Sequence, residues 1–205
     1  MIPDPHLEPS DEALAAQTQS GCALSFEQLV FRFEARIFNY LARIVGNHHE
    51  AKDLAQVTFL KAWLGIQTFQ STGSFSAWLF VIAKRTALNH FRGQRPMEPL
   101  PEADGLPGGP VELQDPATQM SQKDEAAALW QLARRLKPDQ YEVLWLRYGE
   151  GFSIAESAKI MKTNPIRIRV LLHRARGHLA TLLGESNSCN EPELHRGKIS
   201  LAPRV

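Results

Sequence analysis

The chain has 205 residues, of which 43% are hydrophobic and 22% charged, and its formal net charge is +1. This composition is typical of a soluble, globular, cytoplasmic protein. No apolar run approaches the roughly 20 residues of a membrane-spanning helix, and the first 20 residues carry four acids and no Lys or Arg, unlike a signal peptide. Cys22 and Cys189 are too few and too far apart for a disulfide framework or a metal cluster, so we expect a reduced, intracellular setting. We also expect no membrane insertion and no cofactor.

The charge is distributed unevenly along the chain. Residues 1–25 carry −4, residues 26–95 carry +5, residues 96–125 carry −6 and residues 126–184 carry +6. Two basic blocks joined by an acidic strip favour two modules that face a polyanion, although solvated surface charge would give the same excess.

Segments without helical or strand periodicity divide the chain. Residues 96–121 are acidic and rich in proline and glycine, which break helices and strands, so they are predicted to form a flexible linker. Residues 1–24 and 185–205 are predicted to be a flexible N-terminal extension and a flexible C-terminal tail. The remaining segments, 25–95 and 122–184, show helical periodicity and predict an all-α fold of two small helical domains joined by that linker.

The first block predicts a small helical bundle. Apolar residues recur every three or four positions from Leu29 to Ile44 and line one face of a helix. Asn47 is placed to cap a second helix, and Glu50, three positions later, is placed to reach back to the amide of the cap. A loop with glycine and serine, residues 69–74, leads to a third helix that carries basic residues at its end.

The second block has clear helix boundaries. It contains a helix over about residues 122–136 and another that begins at Pro138, where the missing amide hydrogen of proline costs nothing. Ser153 and Glu156 form a capping box at the start of a short helix, and a long helix begins at Pro165. A short helix, a three-residue turn and a long basic helix are the pattern of a helix-turn-helix.

The final helix has an apolar face and a basic one. Its apolar residues recur at spacings of four and three: Ile168, Leu172, Ala175, Leu179 and Leu182. The basic residues fall largely off that face, and arginine suits both phosphates and guanine edges because its planar fork donates two hydrogen bonds. Together with the helix-turn-helix pattern, this favours contact with DNA over the alternative of an amphipathic helix with solvated arginines.

Four runs of residues carry a family resemblance. Residues 53–63 read D-L-A-Q-V-T-F-L-K-A-W, and residues 75–84 carry F-S-A-W-L followed by I-A-K. Residues 136–144 read L-K-P-D-Q-Y-E-V-L, and residues 173–176 read H-R-A-R. These runs resemble region 2 and region 4 of the bacterial RNA polymerase sigma factors, specifically their small extracytoplasmic-function group. The resemblance implies sigma region 2 in the first block and sigma region 4 in the second.

The resemblance also implies a function. Such a protein binds core RNA polymerase and promoter DNA, directs promoter-specific transcription initiation in a stress response, and is held inactive by an anti-sigma factor. The residues that would bind core polymerase are Asp53, Gln56 and Phe59. Those that would engage the melted −10 element, where a base is flipped into a pocket, are Phe75, Trp78, Lys84, Arg85, Asn89 and Arg92. Those that would read the −35 element are Arg167, Arg169, Val170, His173, Arg174 and Arg176. For Phe59 and Trp78, a place in the core is the alternative.

Four departures from the family pattern fall in the helix-turn-helix. Arg167 replaces a common threonine, Leu171 replaces a common basic residue, and Ser157 replaces an apolar residue. Lys162 stands in the turn where the family usually has glycine. The sequence leaves open how the turn closes around a residue with a side chain, and whether this change alters binding to the −35 element.

Three other functional classes are alternatives to the sigma factor. A decoy or adaptor would sequester an anti-sigma factor without initiating transcription, but it would not need to retain residues such as Asp53 and Arg174. A generic helix-turn-helix repressor would read DNA without needing the run at residues 53–63. An enzyme is not expected, because the adjacent His48 and His49 project from different sides of a helix without a third ligand, and no phosphate-binding glycine loop or nucleophile elbow is present.

Overall fold

The computed structural model describes residues 9–94 and 122–188, and in these two segments every regular element is helical. The α-helices are α1 (Asp11–Gln19), α2 (Ala23–Val45), α3 (His48–Gly65), α4 (Phe75–Gln94), α5 (Gln122–Ala133), α6 (Pro138–Leu144), α7 (Ile154–Ile160) and α8 (Pro165–Ser188). A 3₁₀ turn (Ile66–Thr68) follows α3, and a π-helical turn (Trp145–Gly149) follows α6. The predicted all-α fold is confirmed, while the predicted linker, residues 96–121, lies outside the described residues. Within the described segments, no helix is both long and apolar enough to cross a membrane.

The first module consists of α1 to α4. Helix α2 ends at Gly46, whose φ of 78° is left-handed, and Asn47 then caps α3 by accepting hydrogen bonds from the amides of His49 and Glu50 at 2.9 and 3.3 Å. The predicted cap is therefore present. The Glu50 carboxylate, which was predicted to reach back to the amide of the cap, lies 2.9 Å from Nε2 of His90 on α4. One face of α2 is buried in the core of the bundle, through residues spaced four apart: Leu29, Phe33, Ile37 and Leu41.

The N-terminal segment is partly helical, although the sequence predicted a flexible extension over residues 1–24. Residues 11–19 form α1, and the hydroxyl of Ser10 caps it by accepting a backbone amide of the first turn at 3.2 Å. Leu14 and Ala15 are buried in the core of the first module. A helix of nine residues is marginal in water and shows little periodicity, so its packing against the bundle, which the local sequence does not reveal, stabilises it.

The second module consists of α5 to α8, and α7 and α8 form the predicted helix-turn-helix. Ser153 Oγ accepts from the Glu156 amide at 3.2 Å, and the Glu156 carboxylate accepts from the Ser153 amide at 2.9 Å, which confirms the capping box. Asn164 Oδ1 accepts from the Arg167 amide at 2.7 Å and caps α8. Helix α8 runs to Ser188, so the first residues of the predicted C-terminal tail are helical. The core of this module includes Val143, Leu144, Ile168, Leu172 and Ala175.

The turn between α7 and α8 closes on a left-handed residue. Lys162 has a φ of 51° and is the one non-glycine residue with a positive φ in the described segments. The next amide, that of Thr163, donates to the Ala158 carbonyl at 2.9 Å and ends α7. The departure from glycine at this position therefore leaves the turn intact, at the cost of left-handed strain in a residue that has a Cβ.

Replacing this residue with glycine, Lys162→Gly, is expected to raise the free energy of unfolding by about 0.5–1 kcal/mol. Relief of about 1–2 kcal/mol of left-handed strain exceeds the roughly 0.4–1 kcal/mol lost to a more flexible unfolded chain. Urea denaturation measures the change. The matched control is Lys159→Gly, at an exposed helical position of α7, which is expected to lose about 1 kcal/mol. An equal decrease in the free energy of unfolding in the two variants would contradict the strain at Lys162.

The two modules pack against each other, and we call this packing the closed arrangement. The ring centroid of Phe80 on α4 lies 4.9 Å from that of Phe152, which precedes α7. Leu146, Phe152 and Ile160 of the second module are buried in one cluster with the core of the first. The sequence predicted the two domains, but nothing in its pattern predicted this contact.

Candidate nucleic-acid interface

Helix α8 presents a basic face to solvent. One apolar face is buried against the rest of the second module through Ile168, Leu171, Leu172 and Ala175. The six residues predicted to read a −35 element are all exposed: Arg167, Arg169, Val170, His173, Arg174 and Arg176. They form two rows along the helix, because residues three or four positions apart share a face.

The chemistry of this face suits a nucleic acid. An α-helix fits the major groove of duplex DNA, and arginine makes bidentate contacts with guanine edges or ionic contacts with phosphates. Arg176 Nε donates to the Leu172 carbonyl at 3.3 Å, which directs its guanidinium along the helix. The structure therefore brings the predicted −35 set together on one surface.

The residues predicted for the −10 element divide into an exposed group and a buried one. Arg85, Asn89 and Arg92 on α4 are exposed and lie four and three positions apart, so they form one row. This row carries two positive charges and an amide, which suit the phosphates of a DNA backbone.

Phe75, which the sequence predicted to shape the −10 site, is instead part of the core. Its side chain is 1% exposed, and its ring centroid lies 5.6 Å from that of Phe33 and 5.5 Å from that of Phe69. The reason is that the first turn of α4 faces the bundle. Trp78 is half-buried, with its ring 5.6 Å from those of Phe69 and Phe75, so part of its indole remains accessible beside the preceding loop.

Lys84, which the sequence predicted to face the DNA backbone, is buried between the two modules. Its Nζ lies 2.7 Å from Oε2 of Glu142 on α6, and both side chains are about nine-tenths buried. Position 84 faces the second module in the closed arrangement, and a buried charge requires a partner of opposite sign. The sequence did not reveal this burial, because the partner lies 58 residues away in the chain.

Glu142 also accepts a hydrogen bond from a tyrosine. The Tyr40 hydroxyl donates to Glu142 Oε1 at 2.7 Å, so the two carboxylate oxygens hold Tyr40 and Lys84 together. Burial, and then the negative charge of Glu142, raise the pKa of Tyr40 well above its ordinary value. The hydroxyl therefore stays protonated and remains a donor at neutral pH.

Two arginines of α2 complete the contact between the modules. Arg36 Nε lies 2.8 Å from Glu150 Oε2, and the guanidinium of Arg43 stacks over the Trp145 ring at 3.5 Å. Burial lowers the pKa of Arg43. Sequence reasoning missed these residues, but the signal was present: Arg36, Tyr40 and Arg43 lie four and three positions apart and form a polar row on a helix that is otherwise amphipathic.

The outer face of α3 carries the residues predicted to bind core polymerase. Asp53 and Gln56 are exposed, whereas Phe59 is partly buried and packs on the core. The same helix exposes large apolar side chains beside this polar pair: Val57, Leu60, Trp63 and Leu64. Apolar area next to fixed polar groups is the composition expected of a protein-binding surface.

Comparison with known proteins places both modules in context. The model of Sigma-70 region 2 matches residues 29–96, and that of Sigma-70 region 4 matches residues 126–179. RNA polymerase sigma-H factor of Pseudomonas aeruginosa is 30% identical, over 81% of this chain and 90% of its own length. RNA polymerase sigma factor YlaC of Bacillus subtilis is 32% identical, over 74% of this chain and 88% of its own. The ECF RNA polymerase sigma factor BldN of Streptomyces coelicolor is 34% identical over 83% of this chain, which spans 64% of the length of BldN.

Two solved structures share the fold. CnrH, solved in complex with the cytosolic domain of CnrY, superposes with a TM-score of 0.60 at 24% identity, over 85% of this chain and 97% of its own. RpoE of Bartonella quintana, solved in complex with the anti-sigma factor NepR, superposes with a TM-score of 0.56 at 24% identity, over 78% and 96% of the two chains.

Proposed function

Because this chain belongs to the extracytoplasmic-function group of RNA polymerase sigma factors, we propose that each of three surfaces contacts one of the binding targets of that group. The protein binds core RNA polymerase and directs promoter-specific transcription initiation, and it is not an enzyme. The proposal assigns the −35 element to α8, the −10 element to α4 and the loop before it, and core polymerase to α3. The factor acts in the cytoplasm, where its polymerase transcribes.

The exposed basic face of α8 is the observation that carries the assignment of the −35 element. Its two rows diverge around the helix, so that one can face base edges in the major groove while the other faces a phosphate backbone. The buried apolar face holds α8 on the module during this contact. Val170 lies among the basic residues of this face, where its apolar side chain is positioned to contact a thymine methyl group.

The assignment of the −10 element rests on α4 and the loop of residues 70–74, which we call the −10 loop and whose first four residues are exposed. The row of Arg85, Asn89 and Arg92 supports contact with the backbone of a melted strand. The half-buried Trp78 lies beside the −10 loop, and an accessible part of an aromatic ring next to such a loop suits an unstacked base.

On a promoter the closed arrangement has to open. The two elements are separated by about 25 base pairs, on the order of 80 Å at about 3.4 Å per base pair, whereas the modules are in side-chain contact. Opening separates Lys84 from Glu142 and makes its ammonium available to DNA phosphates. We propose that an anti-sigma partner holds the modules closed. RpoE of Bartonella quintana, which shares the fold, was solved with the anti-sigma factor NepR.

Run-off transcription tests the proposed function. Purified core polymerase, the full chain and a pool of genomic promoter fragments are expected to yield transcripts with defined start sites. The double variant Asp53→Ala/Gln56→Ala is expected to weaken core binding about 10- to 100-fold and to remove the transcripts, because each side chain is expected to contribute on the order of 1 kcal/mol to the interface. Gln131→Ala, at an exposed glutamine of α5, is the matched control. Folded protein that captures an anti-sigma factor but yields no transcript would favour the decoy instead.

A further inference from the structure

Helix α1 lies outside the three surfaces assigned above, yet it contacts both ends of the −10 loop. Residues Gln70 to Gly73 are exposed, and the loop lies between two buried aromatic residues, Phe69 and Phe75. The Gly73 amide donates to the Gln70 carbonyl at 2.9 Å and closes a tight turn at the tip. A loop with so few buried contacts of its own takes its conformation from the way its ends are held.

Gln19, the last residue of α1, holds the end of the chain that enters the −10 loop. Its Nε2 donates to the Ile66 carbonyl at 2.9 Å and to the Phe69 carbonyl at 2.8 Å, which uses both hydrogens of the amide. In return, Gln67 Nε2 donates to the Gln19 carbonyl at 2.9 Å. Three hydrogen bonds therefore join α1 to the segment that leads into the loop.

Glu12, in the first turn of α1, holds the end of the chain that leaves the −10 loop. Its Oε1 accepts from the Phe75 amide at 3.1 Å. This amide belongs to the first turn of α4, where backbone N–H groups have no acceptor within the helix and a carboxylate is favourable. Helix α1 is itself fixed in place by the buried Leu14 and by the ion pair between Asp11 and Arg32 at 2.8 Å.

We propose that α1 sets the conformation of the −10 loop and that Gln19 is its positioning residue, an inference that rests on the proposed function of that loop. Gln19 acts through the carbonyls of Ile66 and Phe69 and does not itself contact DNA. A loop that is ordered before DNA arrives does not have to be ordered on binding, so the melted strand binds more tightly and with greater base selectivity. Helix α1 thereby contributes to recognition of the promoter.

The test uses holoenzyme assembled from core polymerase and the full chain. Gln19→Met keeps the length of the side chain and removes both donors, and Gln17→Met is the matched control, at an exposed glutamine of the same helix whose side chain accepts from Ser25. The probes are a fluorescent single-stranded oligonucleotide with the non-template −10 sequence of a promoter mapped by run-off, a scrambled oligonucleotide, and a duplex with the −35 element alone.

Gln19→Met is expected to weaken binding of the −10 oligonucleotide about tenfold relative to the control variant, and to reduce discrimination against single-base changes in it. Affinity for the −35 duplex, affinity for core polymerase and the melting temperature are expected to match the control. In the free chain, amide hydrogen exchange at Gly73 and Phe75 is expected to accelerate in Gln19→Met and not in Gln17→Met.

Three results would overturn the inference. The two variants could bind the −10 oligonucleotide equally well, with unchanged exchange in the loop. Gln19→Met could lose −35 binding and thermal stability in the same proportion as −10 binding, which would make its role merely structural. Wild-type holoenzyme could fail to distinguish the −10 oligonucleotide from the scrambled one, and this result, independent of any variant, would overturn the proposed function as well.

Discussion

Replacing Glu142 with alanine is expected to open the closed arrangement. The change leaves the Lys84 ammonium and the Tyr40 hydroxyl buried between the modules without the carboxylate that both contact at 2.7 Å. Removing one partner of a buried ion pair costs about 3–5 kcal/mol, and here separation of the modules rehydrates Lys84. The cost therefore falls on the closed arrangement, whose population relative to separated modules should drop by about two to four orders of magnitude.

Energy transfer between two dyes measures this opening. One dye is attached to Cys22, which is exposed on the first module, and the other to a cysteine introduced by Lys159→Cys on α7, with Cys189→Ser to avoid a third label. Lower transfer efficiency and a larger radius of gyration from X-ray scattering are expected for Glu142→Ala. The double variant Lys84→Met/Glu142→Leu is expected to remain closed, since an apolar pair can replace a buried ion pair. If the transfer efficiency of Glu142→Ala equals that of the wild type, the ion pair of Lys84 and Glu142 does not hold the modules together.

Replacing Arg169 or Arg174 with alanine is expected to weaken binding to promoter DNA. The two residues lie on different rows of the exposed face of α8, so one is positioned for bases when the other is positioned for phosphates. Loss of a base contact costs about 1–3 kcal/mol and relaxes specificity at one position of the −35 element. Loss of a phosphate contact weakens binding to all sequences alike and lowers the slope of affinity against salt by about one.

Titration of a fluorescent promoter duplex at several salt concentrations separates the two kinds of contact. Arg135→Ala, at an exposed arginine of the same module outside α8, is the matched control and should change affinity least. Alanine is a better helix former than arginine, so a loss of binding at positions 169 and 174 does not reflect unfolding of α8. Unchanged affinity in both variants would be incompatible with docking of α8 in the major groove.

The candidate site was predictable where it depends on a single helix. The exposed row of Arg85, Asn89 and Arg92 and the two rows on α8 follow from a repeat of 3.6 residues, which assigns side chains to faces without knowledge of the neighbours. The same reasoning assigned Lys84 to solvent, because periodicity separates the faces of a helix but does not say which other module covers one of them. The burial of Phe75 was not predicted for a related reason, since its position at the start of α4 does not reveal that this turn faces the bundle.

The sequence by itself determined the helices, their caps and the division of α8 into a buried and a basic face. Capping by Asn47 and the capping box of Ser153 and Glu156 are made within three residues, so local sequence specifies them. Only the tertiary structure decided that α1 is ordered and that the modules are closed on Lys84 and Glu142. These contacts join residues 47 to 114 positions apart, from Gln19–Ile66 to Arg36–Glu150, and no local period encodes a pairing over that distance. Their formation depends on which buried charges and carbonyls the assembled helices bring together, because each such group must find its partner in the folded chain.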